Sequence, residues 1–390
     1  MSERVRMGMV GGAEGAFIGA IHRMAAALDG GIELVAGCFS SDPSRGRATA
    51  AKLGLPADRS YASYRDLVLG EAARPAGERM EFVSVVTPND LHLPVAIEAL
   101  QGGFHVLSDK PAARSLEEAL SLRASVEQSG LVYGLTHTYA AYPMVRQARE
   151  MVLDGELGAV RRVTVSYPQG WLASAADTGG SKQASWRTDP ARSGESGCFG
   201  DIGTHAHNLV EYVTGSRITE VCADLRSLVE GRLLDDDGAA LFKLENSARG
   251  TLTASQVCAG EGNNLNISIY CEKGALLWQQ EDPNRLQVRR RGRPLETYQA
   301  GTDCAYLAEG ARALCRTPVG HPEGYIEAFA NIYRDFAARV LAHREGSLAA
   351  ASDIEAGVRG MAFVRAAIES SRNHSSWVSL RPLWEEPATQ

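Results

Sequence analysis

Apolar residues in the first third of the chain fall into short runs separated by stretches with helical spacing. Residues 5–10, 32–39, 82–86, 104–107 and 131–135 read as strands, and residues 16–28, 43–53, 91–101 and 116–128 between them read as helices. Asp42 is placed to cap the helix at 43–53, with Pro43 in its first position. Strands that are apolar almost throughout, alternating with helices, predict an α/β domain: a doubly wound parallel sheet covered on both faces, of the dinucleotide-binding type.

The pattern changes after about residue 140. A helix at 142–153 and a strand at 160–167 lead into a long polar stretch, 173–200, followed by a helix at 201–213. Strand-like runs then follow one another at 220–229, 239–244, 250–257, 265–270 and 275–279, and two helices, 324–344 and 353–370, come last. Consecutive strands with few helices between them predict an α+β domain with a large, mostly antiparallel sheet, open on one face. The expected division is a Rossmann-type domain over residues 1–137 and a substrate-binding and oligomerisation domain over 138–390.

Composition narrows the class. The chain has 390 residues, 44% hydrophobic and 22% charged, with a net charge of −7. That is an ordinary globular composition, and its acidic balance argues against nucleic-acid or membrane-surface partners. Seven cysteines without CxxC pairing predict reduced thiols. The first ten residues have no signal-peptide core, so the expected location is the cytoplasm. No set of potential ligands has metal-site spacing, so no metal is expected.

Chemistry enters at the strand ends. Gly11, Gly12 and Gly15, with Phe17 and Ile18 opening the helix, form a glycine-rich turn between the first strand and helix. Backbone amides there can cradle a pyrophosphate. The turn is longer than GxGxxG by about three residues, and Ala13 takes the place of the second glycine. The second strand ends at Ser40 and Ser41, with Arg45 nearby, where NAD-binding domains place a ribose-binding carboxylate. This leaves NAD and NADP both open, with NAD preferred. Thr87 and Asn89 follow the third strand, where a nicotinamide ribose would lie, and could equally mark a helix entry. Lysine is scarce, five against thirty-five arginines. One of the five, Lys110, stands just past an apolar run, where a lysine can approach neutrality and an arginine cannot.

Taken in order, Gly11–Gly19 with His22, Thr87-Pro88-Asn89 with His92, Asp109-Lys110-Pro111, Trp186-Arg187 and Gly200-Asp201-Ile202-Gly203-Thr204-His205 resemble the Gfo/Idh/MocA family of NAD(P)-dependent sugar and cyclitol oxidoreductases. The resemblance spans nearly the whole chain. It departs where the family has Glu-Lys-Pro, here Asp109-Lys110-Pro111, and Asn-Tyr-Arg, here Thr138-Tyr139-Ala140. It implies that Lys110, Asp201 and His205 are catalytic and that His92 and Asp109 belong to the cofactor site. The residue chemistry agrees. Asp201 and His205 are four apart and share a helix face, imidazole suits proton abstraction near neutral pH, and Lys110 can donate to a developing alkoxide.

Gln169, Lys182, Trp186 and Arg187 are candidate substrate contacts in and before the long polar stretch. The expected reaction is oxidation of a secondary hydroxyl of a sugar, glycoside or cyclitol by hydride transfer to NAD(P)+. Two alternatives use the same residues differently. One is an NAD-dependent glycoside hydrolase that oxidises, eliminates, hydrates and reduces, with residues 182–187 holding an anionic or sulfo-sugar. The other is a non-catalytic dinucleotide sensor. The resemblance also implies a homodimer or homotetramer through the open sheet face.

Overall fold

The computed structural model describes residues 4–174, 182–347 and 352–384, in two compact units. The first comprises Met1–Thr136 and Tyr325–Val358. Its sheet contains Val5–Gly11 (β1), Ile32–Cys38 (β2), Phe82–Val86 (β3), His105–Ser108 (β4) and Tyr133–Leu135 (β5), all parallel, in the order β2-β1-β3-β4-β5. Every residue of β3 and β4 is buried, which is why both read as continuous apolar runs. Asp42 caps the helix Pro43–Lys52 by accepting from the amides of Ser44 and Arg45, as its position predicted.

The contiguous division after residue 137 did not anticipate the return of Tyr325–Arg344 to this unit. The helix packs on Phe17–Leu28 and puts Phe329, Tyr333 and Phe336 into the core beside Phe82. Its Tyr333 hydroxyl bonds to both His22 Nδ1 and Ser84 Oγ, at 2.8 Å each. A polar pair buried in an apolar core thus finds its partner 249 and 311 residues along the chain.

Burial, with Arg23 adding to it against the opposing pull of Asp109, lowers the His22 pKa to about 4 from its ordinary 6.5. Burial, reinforced by His343, takes His105 to about 4 as well. Both rings are neutral in the folded unit and free to protonate in the unfolded chain. Their stabilising contribution is therefore complete above about pH 6.5 and is lost as the pH falls toward 4. Thermal unfolding is expected to show Tm dropping across that window, and His22→Asn should make the drop shallower. A Tm independent of pH between these values would contradict this account.

The second unit comprises His137–Gly324 and Arg359–Gln390. Its strands are Val160–Pro168 (β6), Ile218–Arg226 (β7), Asp237–Leu244 (β8), Arg249–Ser255 (β9), Asn266–Cys271 (β10), Gly274–Gln279 (β11), Arg285–Arg290 (β12), Glu296–Gln299 (β13) and Val378–Ser379 (β14). They form one sheet in the order β13-β12-β11-β10-β6-β9-β8-β7-β14, in which only β6 and β9 run parallel. The mostly antiparallel sheet is as expected. β12, β13 and β14 were not; in β12, arginines hide a two-residue alternation in which Leu286 and Val288 are buried. Helices Pro143–Leu153 and Thr204–Thr214 cover one face. Leu241 and Tyr270 stand exposed on β8 and β10. Among the described residues no helix is long and apolar enough to cross a membrane.

Candidate active site

The carboxyl ends of the parallel strands gather most of the expected cofactor residues. Gly11, Gly12 and Gly15 have φ of +90°, +74° and +82°, values that only glycine adopts without strain. A Cβ on Gly19 would stand 2.3 Å from Gly12 Cα, so the turn and the first helix touch backbone to backbone. Phe17 opens that helix with its ring exposed, while Ile18 packs against the core. Thr87 lies against Gly11, and its Oγ1 is buried with no hydrogen-bond partner among the described residues. A backbone cradle open to close approach and an orphaned hydroxyl beside it both fit a dinucleotide.

The tip of β2 also bears on the cofactor. The Asp42 carboxylate is engaged by the amides of Ser44 and Arg45 and by the Ser44 hydroxyl, so it serves as a cap. Ser40 Oγ accepts from the Asp42 amide, Ser41 is exposed, and Arg45 Nη2 donates to the Glu14 carbonyl in the glycine turn at 2.6 Å. A guanidinium rather than a carboxylate therefore stands at this edge.

His92 and Asp109, expected at the cofactor site, both bond within the chain. His92 is buried, with Nδ1 2.7 Å from the Pro111 carbonyl and Nε2 2.9 Å from the Thr87 carbonyl. Both ring nitrogens face main-chain carbonyls, and the one that carries the proton donates, so His92 lies between the segment after β3 and the segment after β4. Asp109 Oδ1 accepts from Thr136 Oγ1 at 2.7 Å and from the Lys110 amide at 2.9 Å. These bonds hold the backbone from which Lys110, half-buried, projects past the end of β4. Asn89 is buried at the start of the turn Asn89–Leu91.

In the second unit the helix expected at 201–213 starts two residues earlier, as a turn of a different kind. Phe199–Gly203 forms a π-helical turn, closed by the Thr204 amide on the Phe199 carbonyl, and the α-helix runs Thr204–Thr214. Such turns are rare and concentrate at functional sites. Asp201 sits on this turn. Its Oδ2 pairs with Arg187 Nε at 3.3 Å and accepts from Gln256 Nε2 at 2.9 Å.

His205, largely buried on the first α-helical turn, is surrounded by rings. Its centroid lies 4.7 Å from Tyr139, 6.2 Å from His137 and 6.3 Å from Tyr167, the first two edge-to-face. The two tyrosine hydroxyls bond to each other at 2.6 Å, and Asn263 bridges them. His207, on the same helix, is a packing residue, set over Phe363 and paired with Glu211 at 3.4 Å.

Gln169 belongs to this frame. Its Nε2 donates to Asn263 Oδ1 at 2.7 Å and its Oε1 accepts from Trp171 Nε1 at 3.0 Å, so both ends of the amide are engaged within the chain. The Arg187 guanidinium stacks 4.3 Å over Trp186 and 5.8 Å over Trp171. The side chains of Lys182 and Gln183 lie outside the described residues.

Gln256, Asn263, Tyr139 and Tyr167 were not identified as site residues from the sequence. Nothing local marks Gln256 or Asn263, which are ordinary polar residues near strand ends. Tyr139 carried a signal, as the shared residue of the departed Asn-Tyr-Arg pattern.

Two family models match the chain. One, described as an oxidoreductase family with an NAD-binding Rossmann fold, matches residues 5–137; the other, the GFO/IDH/MocA C-terminal domain, matches residues 145–277. The chain is 32% identical to an uncharacterized oxidoreductase of Bacillus subtilis, YfiI, over 389 residues covering 98% of each protein. It is 27% identical to a levoglucosan dehydrogenase of Pseudarthrobacter phenanthrenivorans over 228 residues, covering 53% of this chain and 57% of that one. Among solved structures, it superposes on an inositol dehydrogenase homolog of Azotobacter vinelandii complexed with NAD+. The TM-score is 0.92 at 36% identity, covering 97% of this chain and 98% of that one. The same homolog complexed with NADH and myo-inositol gives 0.90 at 35% identity, over the same shares of the two chains.

Proposed function

The chain belongs to the Gfo/Idh/MocA family of NAD-binding oxidoreductases, and from that premise we propose that it oxidises a secondary hydroxyl of a neutral sugar, glycoside or cyclitol to a ketone. The observation that carries this reading is the state of Asp201. Its carboxylate is tied to Arg187 and Gln256 one helical turn from the ring-bound imidazole of His205. A fixed acceptor beside a base suits a polyol, with one hydroxyl held and its neighbour deprotonated.

The nicotinamide, when bound, supplies the hydride acceptor. Residues of the chain do the remaining work. His205 takes the hydroxyl proton, Lys110 donates a hydrogen bond to the substrate oxygen as charge develops on it, and Asp201 orients an adjacent hydroxyl. Gly11, Gly12, Gly15 and Thr87 hold the dinucleotide. Ser40 and Arg45 stand where a ribose-binding carboxylate would otherwise be, so NADP is expected to be tolerated beside NAD. Self-association as a homodimer or homotetramer through the uncovered sheet face belongs to the same proposal.

The ion pair with Asp201 weighs against the anionic-sugar glycosidase alternative, because Arg187 is one of the residues 182–187 expected to hold such a ligand. The test is a panel of cyclitols, free sugars and glycosides with NAD+ and NADP+, following cofactor reduction and product identity. Myo-inositol, the ligand of one similar structure, comes first. Steady accumulation of reduced cofactor with a ketone product is expected. Cofactor binding without reduction by any polyol, or glycoside cleavage without net reduction, would refute it.

A further inference from the structure

The turn that carries Asp201 has no cap of its own. Neither Cys198, ahead of the π-helical turn, nor Gly203, ahead of the α-helix, caps the following amides with a side chain. Of the four consecutive amides of residues 197–200, only that of Gly200 has a local side-chain acceptor, Ser196 Oγ; the other three would otherwise be open donors at a helix start. We infer that Asp235, in the loop before β8, is the positioning residue for the Asp201–His205 turn, acting as a cap supplied from a distant part of the chain.

Every one of the four amides leads to Asp235. Its Oδ1 accepts from the Gly197 amide at 2.9 Å and its Oδ2 from the Phe199 amide at 2.9 Å. Its main-chain carbonyl accepts from the Cys198 amide at 2.7 Å. The Gly200 amide donates to Ser196 Oγ at 2.9 Å, and that hydroxyl donates in turn to Asp235 Oδ1 at 2.8 Å. The approach is close enough to dictate the residue at 197: a Cβ there would lie 2.4 Å from the Asp235 carbonyl oxygen.

The loop holding Asp235 is itself fixed. The neighbouring Asp236 carboxylate accepts from the amides of Leu228 and Val229 and from Arg232 Nη1 at 2.8–3.1 Å. The Asp236 carbonyl accepts from the amide of Gln256 at 2.9 Å. Gln256 is the residue whose side chain donates to Asp201 Oδ2. One dipeptide therefore sets both the backbone under Asp201 and the donor facing its carboxylate. Burial pushes the Asp235 carboxyl up against the opposing bonds from Phe199, Ser196 and Gly197, so its ionised form depends on the amides that it caps.

The inference rests on the proposed function for its effect on turnover, but not for its effect on the backbone. The experiment compares full-length Asp235→Ala, Asp235→Asn and Ser196→Ala by hydrogen exchange, NADH affinity and steady-state kinetics on the polyol that the panel identifies. Asp235→Ala is expected to speed exchange across residues 197–200. Ser196→Ala is expected to expose the Gly200 amide and leave Gly197 and Phe199 protected. NADH affinity should be unchanged in all three. In Asp235→Ala, kcat should fall by roughly 10–100-fold, as for other groups that orient a reacting residue, with Asp235→Asn recovering part of it through its remaining oxygen.

If Asp235→Ala does not fold, Asp235→Asn and Ser196→Ala decide the question. Wild-type exchange at residues 197–200 together with wild-type kcat in the folded variants would overturn the inference. If the wild type oxidises no polyol, the proposed function fails, and the exchange pattern alone still decides the role of Asp235.

Discussion

His205→Ala and Lys110→Ala are each expected to lower kcat by about 10²–10⁴-fold, the usual worth of a positioned acid–base group. NADH affinity should stay within a few fold for His205→Ala, because that side chain packs among Tyr139, Tyr167 and His137, none of them an expected cofactor contact. Lys110 follows Asp109, whose carboxylate fixes the local backbone through Thr136, so removing the lysine side chain leaves its loop held. Lys110→Arg is the sharper variant. Arginine keeps the charge and donors but cannot lose its proton near neutral pH and presents a planar fork instead of a compact ammonium. It should recover little of the lost turnover. Steady-state kinetics with fluorescence titration of NADH checks all three, and unchanged kcat in both alanine variants would remove these residues from the catalytic set.

Gly19→Val is expected to have the second large effect, on the cofactor and on stability together. A Cβ at residue 19 would stand 2.3 Å from Gly12 Cα and 2.9 Å from the Gly12 carbonyl oxygen, both backbone atoms that cannot swing aside. The turn must open, and Gly12 itself sits at φ +74°, so the strain passes directly to the amides that face the pyrophosphate. Overpacking of this kind costs about 1–3 kcal/mol. NADH affinity should fall at least about tenfold, the equivalent of 1.4 kcal/mol. Gly31→Ala is the control. A Cβ there meets nothing within 4 Å, and both affinity and Tm should remain as in the wild type. Equal NADH affinity in Gly19→Val and wild type would mean that the turn does not hold the dinucleotide.

Much of the first unit was legible from local chemistry. Runs such as Phe82–Val86 announce buried parallel strands because no side chain in them has to face water. The Asp42–Pro43 start is a local capping event involving residues two and three positions away. The second unit was less legible. Arg285–Arg290 hides as a polar segment because only two of its side chains point inward. The turn ahead of Asp201 is not legible because its cap comes from Asp235, 36 to 39 residues away. A sequence can show that Cys198 and Gly203 are poor caps; it cannot show which distant carboxylate replaces them.

The chain by itself determined the two sheet types, the glycine turn after the first strand, and the residue types available for proton and hydride chemistry. All of these follow from periodicity, backbone sterics and side-chain pKa, which act within a few residues. Tertiary structure decided the partners. It paired Arg187 with Asp201, brought Gln256 to the same carboxylate, and gave His92 and Gln169 partners within the chain. The physical reason is that buried donors and acceptors must be satisfied wherever the fold brings a partner, and the partner's position along the chain is free.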